Sequence, residues 1–110
     1  MPLIAREHSF TPDSADYFAR VLADQPELLQ SLRQDQPGRR IIEGHFNARP
    51  IAILVAEAAG DGWQVTALAV HPANRGRSVG STLLAGAAGL LPDLAWPDSL
   101  TGVAARAGLV

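Results

Sequence analysis

The chain predicts an α/β fold of the α+β kind, a mixed sheet packed with helices, and three observations carry that prediction. Strand-length apolar runs at 40–46, 50–58 and 63–70 are separated by turn residues. Segments with helical spacing flank them, at 11–34 before and from 79 to Pro92 after. A further short run, "DLAWP" at 93–97, lies beyond the second helical segment. With 110 residues, 47% of them apolar, residues 1–110 are expected to form a single domain with its own core.

The elements follow in order. Residues 3–7, "LIARE", suit a short opening strand. In "TPDSADYFARVLADQ", Thr11 is placed to cap a helix, Pro12 suits its first turn, and Asp13 and Asp16 complement the positive end of its dipole. Tyr17, Phe18, Val21 and Leu22 supply an apolar stripe, and Pro26 divides this helix from a second one carrying Leu28, Leu29 and Leu32. "RIIEGHF" and "PIAILVAEA" flank a short Asn-Ala-Arg connection and read as a hairpin. Ile51 to Val55 are almost continuously apolar, as in a central strand covered on both faces. "WQVTALAV" is a third strand of this group, stopped by Pro72. From Val79 a helix is expected, with Val79, Thr82, Leu83, Gly86, Ala87 and Leu90 on one face. Residues 93–97 would then pair parallel to the strand ending at Val70, because a helix lies between them. "DSLTGVAARAGLV" has room for a short last helix.

Composition excludes several chemistries. The formal net charge is −2, which lacks the basic footprint of a nucleic-acid binder. All nine basic residues are arginine, so Schiff-base and catalytic-lysine chemistry is absent. There is no cysteine, which removes disulfides, thiolate nucleophiles and Cys-rich zinc sites. The three histidines, His8, His45 and His71, show no metal-ligand spacing, and no metal is expected. "MPLIAREHSF" lacks the pattern of a secretory signal, and no apolar run reaches the roughly 18–20 residues that span a bilayer. A cytoplasmic protein with no membrane partner is the expectation.

The junction "AVHPANRGRSVGSTLL", 69–84, carries the functional signal. A helix start presents unpaired N–H groups and about half a positive charge, which suits an anion. Gly76 and Gly80 let the backbone turn and let a ligand approach, while Arg75 and Arg77 add donors suited to phosphate oxygens. The chemistry asked for is recognition of a diphosphate-like group at the end of a strand. The Walker pattern fails for want of lysine, and the dinucleotide fingerprint fails on spacing.

A third pattern fits. The segment 68–84 resembles motif A of the GNAT (Gcn5-related N-acetyltransferase) superfamily, V-x-P-x-x-R/Q-x-x-G-x-G/A after a strand, through Val70, Pro72, Arg75 and Gly80. Ser78 stands where glycine is usual. The order of the surrounding elements extends the resemblance over residues 3–96. It implies acetyl-CoA as ligand, with backbone groups of Leu68, Ala69 and Val70 pairing with the pantetheine arm. The amides of Arg75, Gly76, Arg77, Ser78, Val79, Gly80 and Ser81 would hold the pyrophosphate.

Acetyl transfer to an amine also needs an oxyanion donor and a route for the amine proton. Val70 N–H is the candidate donor, and Glu57 the candidate base, with Asp61 and His71 as weaker ones. Family members often carry a carboxylate near the fourth strand and a tyrosine on the last helix. Here "WQVTALAV" has no carboxylate, and the only tyrosine, Tyr17, lies on the first helix. The fold also reads as short at its C-terminal end, which leaves a sheet edge open to a homodimer mate or another protein. The turn at 46–49, Phe-Asn-Ala-Arg, is similar to that of short PanZ/PanM-type members, which bind acetyl-CoA and control maturation of aspartate decarboxylase. Three functions therefore stand open: an N-acetyltransferase, a non-catalytic acetyl-CoA sensor with a protein partner, and an interaction module without CoA affinity.

Overall fold

A computed structural model describes residues 3–76 and 78–109. Its elements are β1 (Ile4–His8), α1 (Ser14–Tyr17), α2 (Pro26–Ser31), β2 (Arg39–Phe46), β3 (Arg49–Ala59), β4 (Gly62–Val70), α3 (Val79–Leu90), β5 (Leu94–Ala95) and α4 (Thr101–Arg106). Single 3-10 turns at Pro72–Asn74 and Asp98–Leu100 connect the later ones. The five strands form one sheet in chain order, antiparallel except for the final β4–β5 pair. That parallel pair is short, joining Trp63 to Leu94 and Gln64 to Ala95.

The sheet packs on both faces, and β3 is the reason it can. Ile51 to Ala56 are all buried, and from Ala52 onward their side chains alternate between two cores. One core sets Ile42, Leu54, Val65 and the α3 residues Val79, Leu83, Leu84 and Ala87 together. The other sets Ile41, Ile53 and Val55 against Phe18, Val21, Leu22 and Leu32. Each buried Val, Leu, Ile or Phe among them contributes about 1.5–3 kcal/mol of transfer free energy. The β2–β3 hairpin turns on Asn47 and Ala48, both at positive φ (52° and 61°), the geometry whose twist matches flanking strands.

Two expectations need correction. Thr11 does not cap a long helix: its Oγ1 accepts from Asp13 N at 3.2 Å, and α1 begins at Ser14 with no side-chain cap. α1 then lasts four residues, and 18–24 continue as turns. Phe18, Val21 and Leu22 all reach the sheet from those turns (0%, 1% and 0% exposed), so burial has overridden a continuous helical ladder. On α3, Thr82 and Leu90 face solvent, whereas Ser81 and Leu84 are buried. The helix is rolled because Gly86 lies directly on β1: a Cβ there would stand 2.4 Å from that of Ala5.

Candidate functional site

The end of β4 is where backbone groups are left over. His71 N donates to Ile51 O at 2.8 Å, which fixes the phase of the β3–β4 ladder. In an antiparallel pair the bonded positions alternate, so Ala67 and Ala69 bond β3 while Leu68 and Val70 direct their N–H and C=O the other way. On that side β5 pairs only with Trp63 and Gln64. From Val65 onward the edge has no strand neighbour among the described residues. A bulge at Thr66 accompanies the change: Val65 pairs with Ala56 and Ala67 with Val55, and the Thr66 hydroxyl donates to Val55 O at 3.3 Å.

α3 begins beside this edge. Its N-cap, Ser78, has φ 63°, and no side chain caps the amides of the first turn. The hydroxyls of Ser81 and Thr82 instead donate to Ser78 O, at 3.0 and 2.9 Å. The left-handed conformation is the physical reason glycine suits position 78, and a serine held there costs about 1–2 kcal/mol. A cavity of about 330 Å³ opens against these amides, lined by Val70, Asn74, Arg75, Gly76, Ser78, Val79, Gly80, Ser81, Val103 and Arg106. Arg77 lies outside the described residues.

The two charged groups here have different employments. Arg75 is tied within the chain: Nη2 donates to Asp24 Oδ1 at 2.8 Å, Nη1 lies 2.7 Å from Asp24 Oδ2, and Nε donates to Val70 O at 3.1 Å. The guanidinium holds the Asp24 carboxyl below its usual range. Arg106, on the last turn of α4, lines the cavity and has no acidic partner among the described residues. The sequence reading missed Arg106, Asn74 and Val103. No local pattern marks Val103 and Arg106, because α4 reaches the site only by packing on α3, whereas Asn74 lies within the junction itself.

The remaining candidates are distributed elsewhere. Leu68, Ala69 and Glu57 line a second cavity of about 460 Å³ on the α2 side, together with Glu27, Leu28, Arg39 and Thr66. Glu57 pairs with Gln64, and Val70 pairs with Ala52, five residues back along β3. At ~3.3 Å per residue that is a separation of roughly 17 Å. The structure therefore does not bring Glu57 to Val70, but it does bring Glu57 to the cavity holding Leu68. Asp61 is exposed in the β3–β4 turn. His71 acts as a cap, its Nδ1 accepting from Ala73 N at 3.0 Å.

A polar cluster away from the first cavity was not legible in the sequence. Glu43, only 3% exposed, accepts from Arg6 Nε at 2.9 Å and from Tyr17 OH at 2.6 Å. His45 Nε2 lies 2.7 Å from the same Tyr17 hydroxyl, and His8 Nε2 lies 2.9 Å from Ser14 Oγ. Burial, with the Glu43 hydrogen bond, pushes the Tyr17 phenol up, and burial pushes the His8 imidazole down. Tyr17 is thereby committed to Glu43 and His45.

No protein-family model and no curated protein matches the chain in sequence. Solved structures match it in shape. A GNAT family acetyltransferase from Staphylococcus aureus superposes with a TM-score of 0.66 at 13% identity, over 87% of this chain and 85% of that one. A ribosomal-protein-alanine N-acetyltransferase from Brucella melitensis superposes with a TM-score of 0.64 at 17% identity, over 96% and 88%. The fold is the GNAT fold. An aminoglycoside 6′-N-acetyltransferase complexed with coenzyme A shares it with a TM-score of 0.59 at 19% identity, over 74% of this chain. The match spans about half of that enzyme's length, 51%. Among the described residues no helix is long and apolar enough to cross a membrane, and no group of side chains is placed to hold a metal ion.

Proposed function

We propose that this GNAT-fold chain binds acetyl-CoA and transfers its acetyl group to a primary amine. The observation that carries the reading is the strand-free edge of Leu68 and Val70 running into the uncapped first turn of α3, with one cavity against Val70 and that turn and another against Leu68. An amide-bearing arm such as pantetheine adds to such an edge as a strand would. A diphosphate takes the amides of residues 75–81, Arg77 included as a proposal, and Arg106 supplies the charge that Arg75 has committed to Asp24.

The chemistry then assigns roles. The amine nitrogen attacks the thioester carbonyl, the carbonyl oxygen takes the negative charge, and collapse expels the CoA thiolate while the nitrogen loses a proton. Of the two edge residues, Leu68 lines the same cavity as Glu57. Its N–H is the donor for the oxyanion there, and Glu57 takes the amine proton. Val70 N–H lies toward the diphosphate end and holds the arm.

A second reading rests on the commitment of Tyr17. With the only tyrosine bonded to Glu43 and His45, neither cavity offers the thiolate a phenolic acid. That favours an acetyl-CoA sensor that acts on a protein partner without turnover. Calorimetry with CoA and acetyl-CoA, followed by thiol release across an amine panel, separates the two. Gly80→Trp should weaken CoA at least 100-fold, about 2.7 kcal/mol, by filling the cavity. Gly80→Ala is the folding control, since its Cβ would meet only Leu68 Cδ2 at 3.7 Å and Val70 Cγ2 at 3.8 Å. Unchanged CoA affinity in the tryptophan variant sinks the assignment. Binding without thiol release selects the sensor.

A further inference from the structure

Of the eight described arginines, five find acceptors inside the chain: Arg6, Arg33, Arg39, Arg40 and Arg75. The other three, Arg20, Arg49 and Arg106, have no partner among the described residues, and all three line cavities. Arg106 belongs to the site already described. Arg20 and Arg49 share a separate cavity of about 320 Å³ on the α1 side of the sheet. Two exposed guanidinium groups without internal partners on one concave surface are both available to an anion there.

The surroundings of that pair narrow the ligand. The floor is apolar, made by Val21 (1% exposed), Ile51 (7%) and Pro50. One wall is Tyr17, which is tied at both its hydroxyl and its ring. Its hydroxyl is held by Glu43 Oε2 at 2.6 Å, and its ring stacks on His8 with centroids 5.2 Å apart. The opposite side comes from the β4–α3 connection, through His71 and Asn74. Because His71 Nδ1 accepts from Ala73 N, the proton of the neutral ring sits on Nε2, which has no partner among the described residues. Asp16 is the single carboxylate of the lining, against two guanidinium groups.

We propose that this cavity is a binding site for a small organic anion, a carboxylate on an apolar or aromatic body. The carboxylate sits between Arg20 and Arg49, where planar forked donors match its two oxygens, and the body lies over Val21 and Ile51 against the Tyr17 ring. The site does not depend on the cofactor reading. It adjoins the first cavity only through Asn74, which lines both. Occupancy therefore bears on the segment leading into α3.

The test is an NMR titration of the intact chain with sodium benzoate, with sodium phosphate and benzylamine at matched ionic strength as comparisons. Saturable amide shifts at Arg20, Arg49, His71 and Asn74 are expected with benzoate, and none there with benzylamine. Arg20→Gln/Arg49→Gln should weaken benzoate more than tenfold while keeping the wild-type melting temperature and CoA affinity, since both side chains are exposed and unpaired. Absence of saturation, equal shifts with benzylamine, or unchanged affinity in the double variant overturns the site. Phosphate binding there as tightly as benzoate overturns the role of the apolar floor. Loss of CoA binding with benzoate binding intact would count against the cofactor reading alone.

Discussion

Glu43 and the free edge of β4 both set polar groups beside apolar packing, and they are satisfied in opposite ways. Around Glu43 the chain supplies its own partners: Arg6, Tyr17 and His45 surround one carboxylate, and His8 and Ser14 extend the cluster. No buried side-chain nitrogen or oxygen is left without a partner among the described residues. At the β4 edge the leftover groups are backbone groups; Val65 O and Val70 O accept from the Gln64 and Arg75 side chains, and the Leu68 groups have no partner among the described residues. A closed network fixes the relative position of β1, β2 and α1. An open edge next to a cavity keeps its hydrogen-bonding capacity for a ligand. The same chain thus shows what its polar groups do when they hold structure and what they do when they are held in reserve.

The largest way to break that contrast is to remove the centre of the closed cluster. Glu43→Ala leaves Tyr17 without its acceptor and Arg6 without its counter-charge. Breaking a buried pair costs about 3–5 kcal/mol, and the 56% exposure of the Arg6 side chain reduces this to about 2–3 kcal/mol. Urea unfolding measures it. CoA affinity should hold in the folded fraction, the converse of Gly80→Trp. A Glu43→Ala variant within 0.5 kcal/mol of wild type would mean that the cluster is solvated surface and not a fastening.

The two regions were not equally legible. The β4–α3 junction is contiguous in sequence, so its glycines, its proline and its strand-to-helix change could be read together, and Ser78 stood out as a departure. The structure gives that departure its meaning, a residue at φ 63° where glycine is unstrained. The Glu43 cluster joins residues 26 to 39 positions apart, through a strand register and a four-residue helix that no local periodicity announces. Strand identities and the parallel β5 were legible because turn residues and connection length decide them. The orientation of α3 was not, since it is set by a contact between Gly86 and Ala5, on different elements. Arg106 was hidden for the same reason.

A smaller effect sharpens the comparison from the open side. Arg106 is the cation of the first cavity with no internal partner, whereas Arg75 is bonded to Asp24 and Val70. Arg106→Ala should weaken CoA about tenfold, about 1.4 kcal/mol, and flatten the salt dependence of binding. Arg75→Gln should cost less, because its charge is already spent on Asp24. Unfolding midpoints should stay at wild type for Arg106→Ala. A larger loss from Arg75→Gln than from Arg106→Ala would show that the tie to Asp24 opens when the ligand arrives.

The smallest expected effect is a pH dependence that belongs to the closed cluster alone. Burial pushes the His8 imidazole below its usual value, with the nearby Glu43 carboxylate opposing and Arg6 adding to the shift. A group whose folded-state pKa lies below its unfolded value, here about 6.5, binds its proton more readily when unfolded. Its contribution to stability is complete above that value and is lost as pH falls through it toward the folded-state pKa. The groups facing His8 are Ser14, Tyr17 and Phe18 from the α1 region and Glu43 from β2. Of these only Glu43 favours the protonated ring. Urea midpoints measured from pH 8 to pH 5 should therefore decline for wild type and stay flatter for His8→Gln, whose amide can still bond Ser14. Equal slopes for the two would show that the His8 imidazole is not the source of the acid sensitivity.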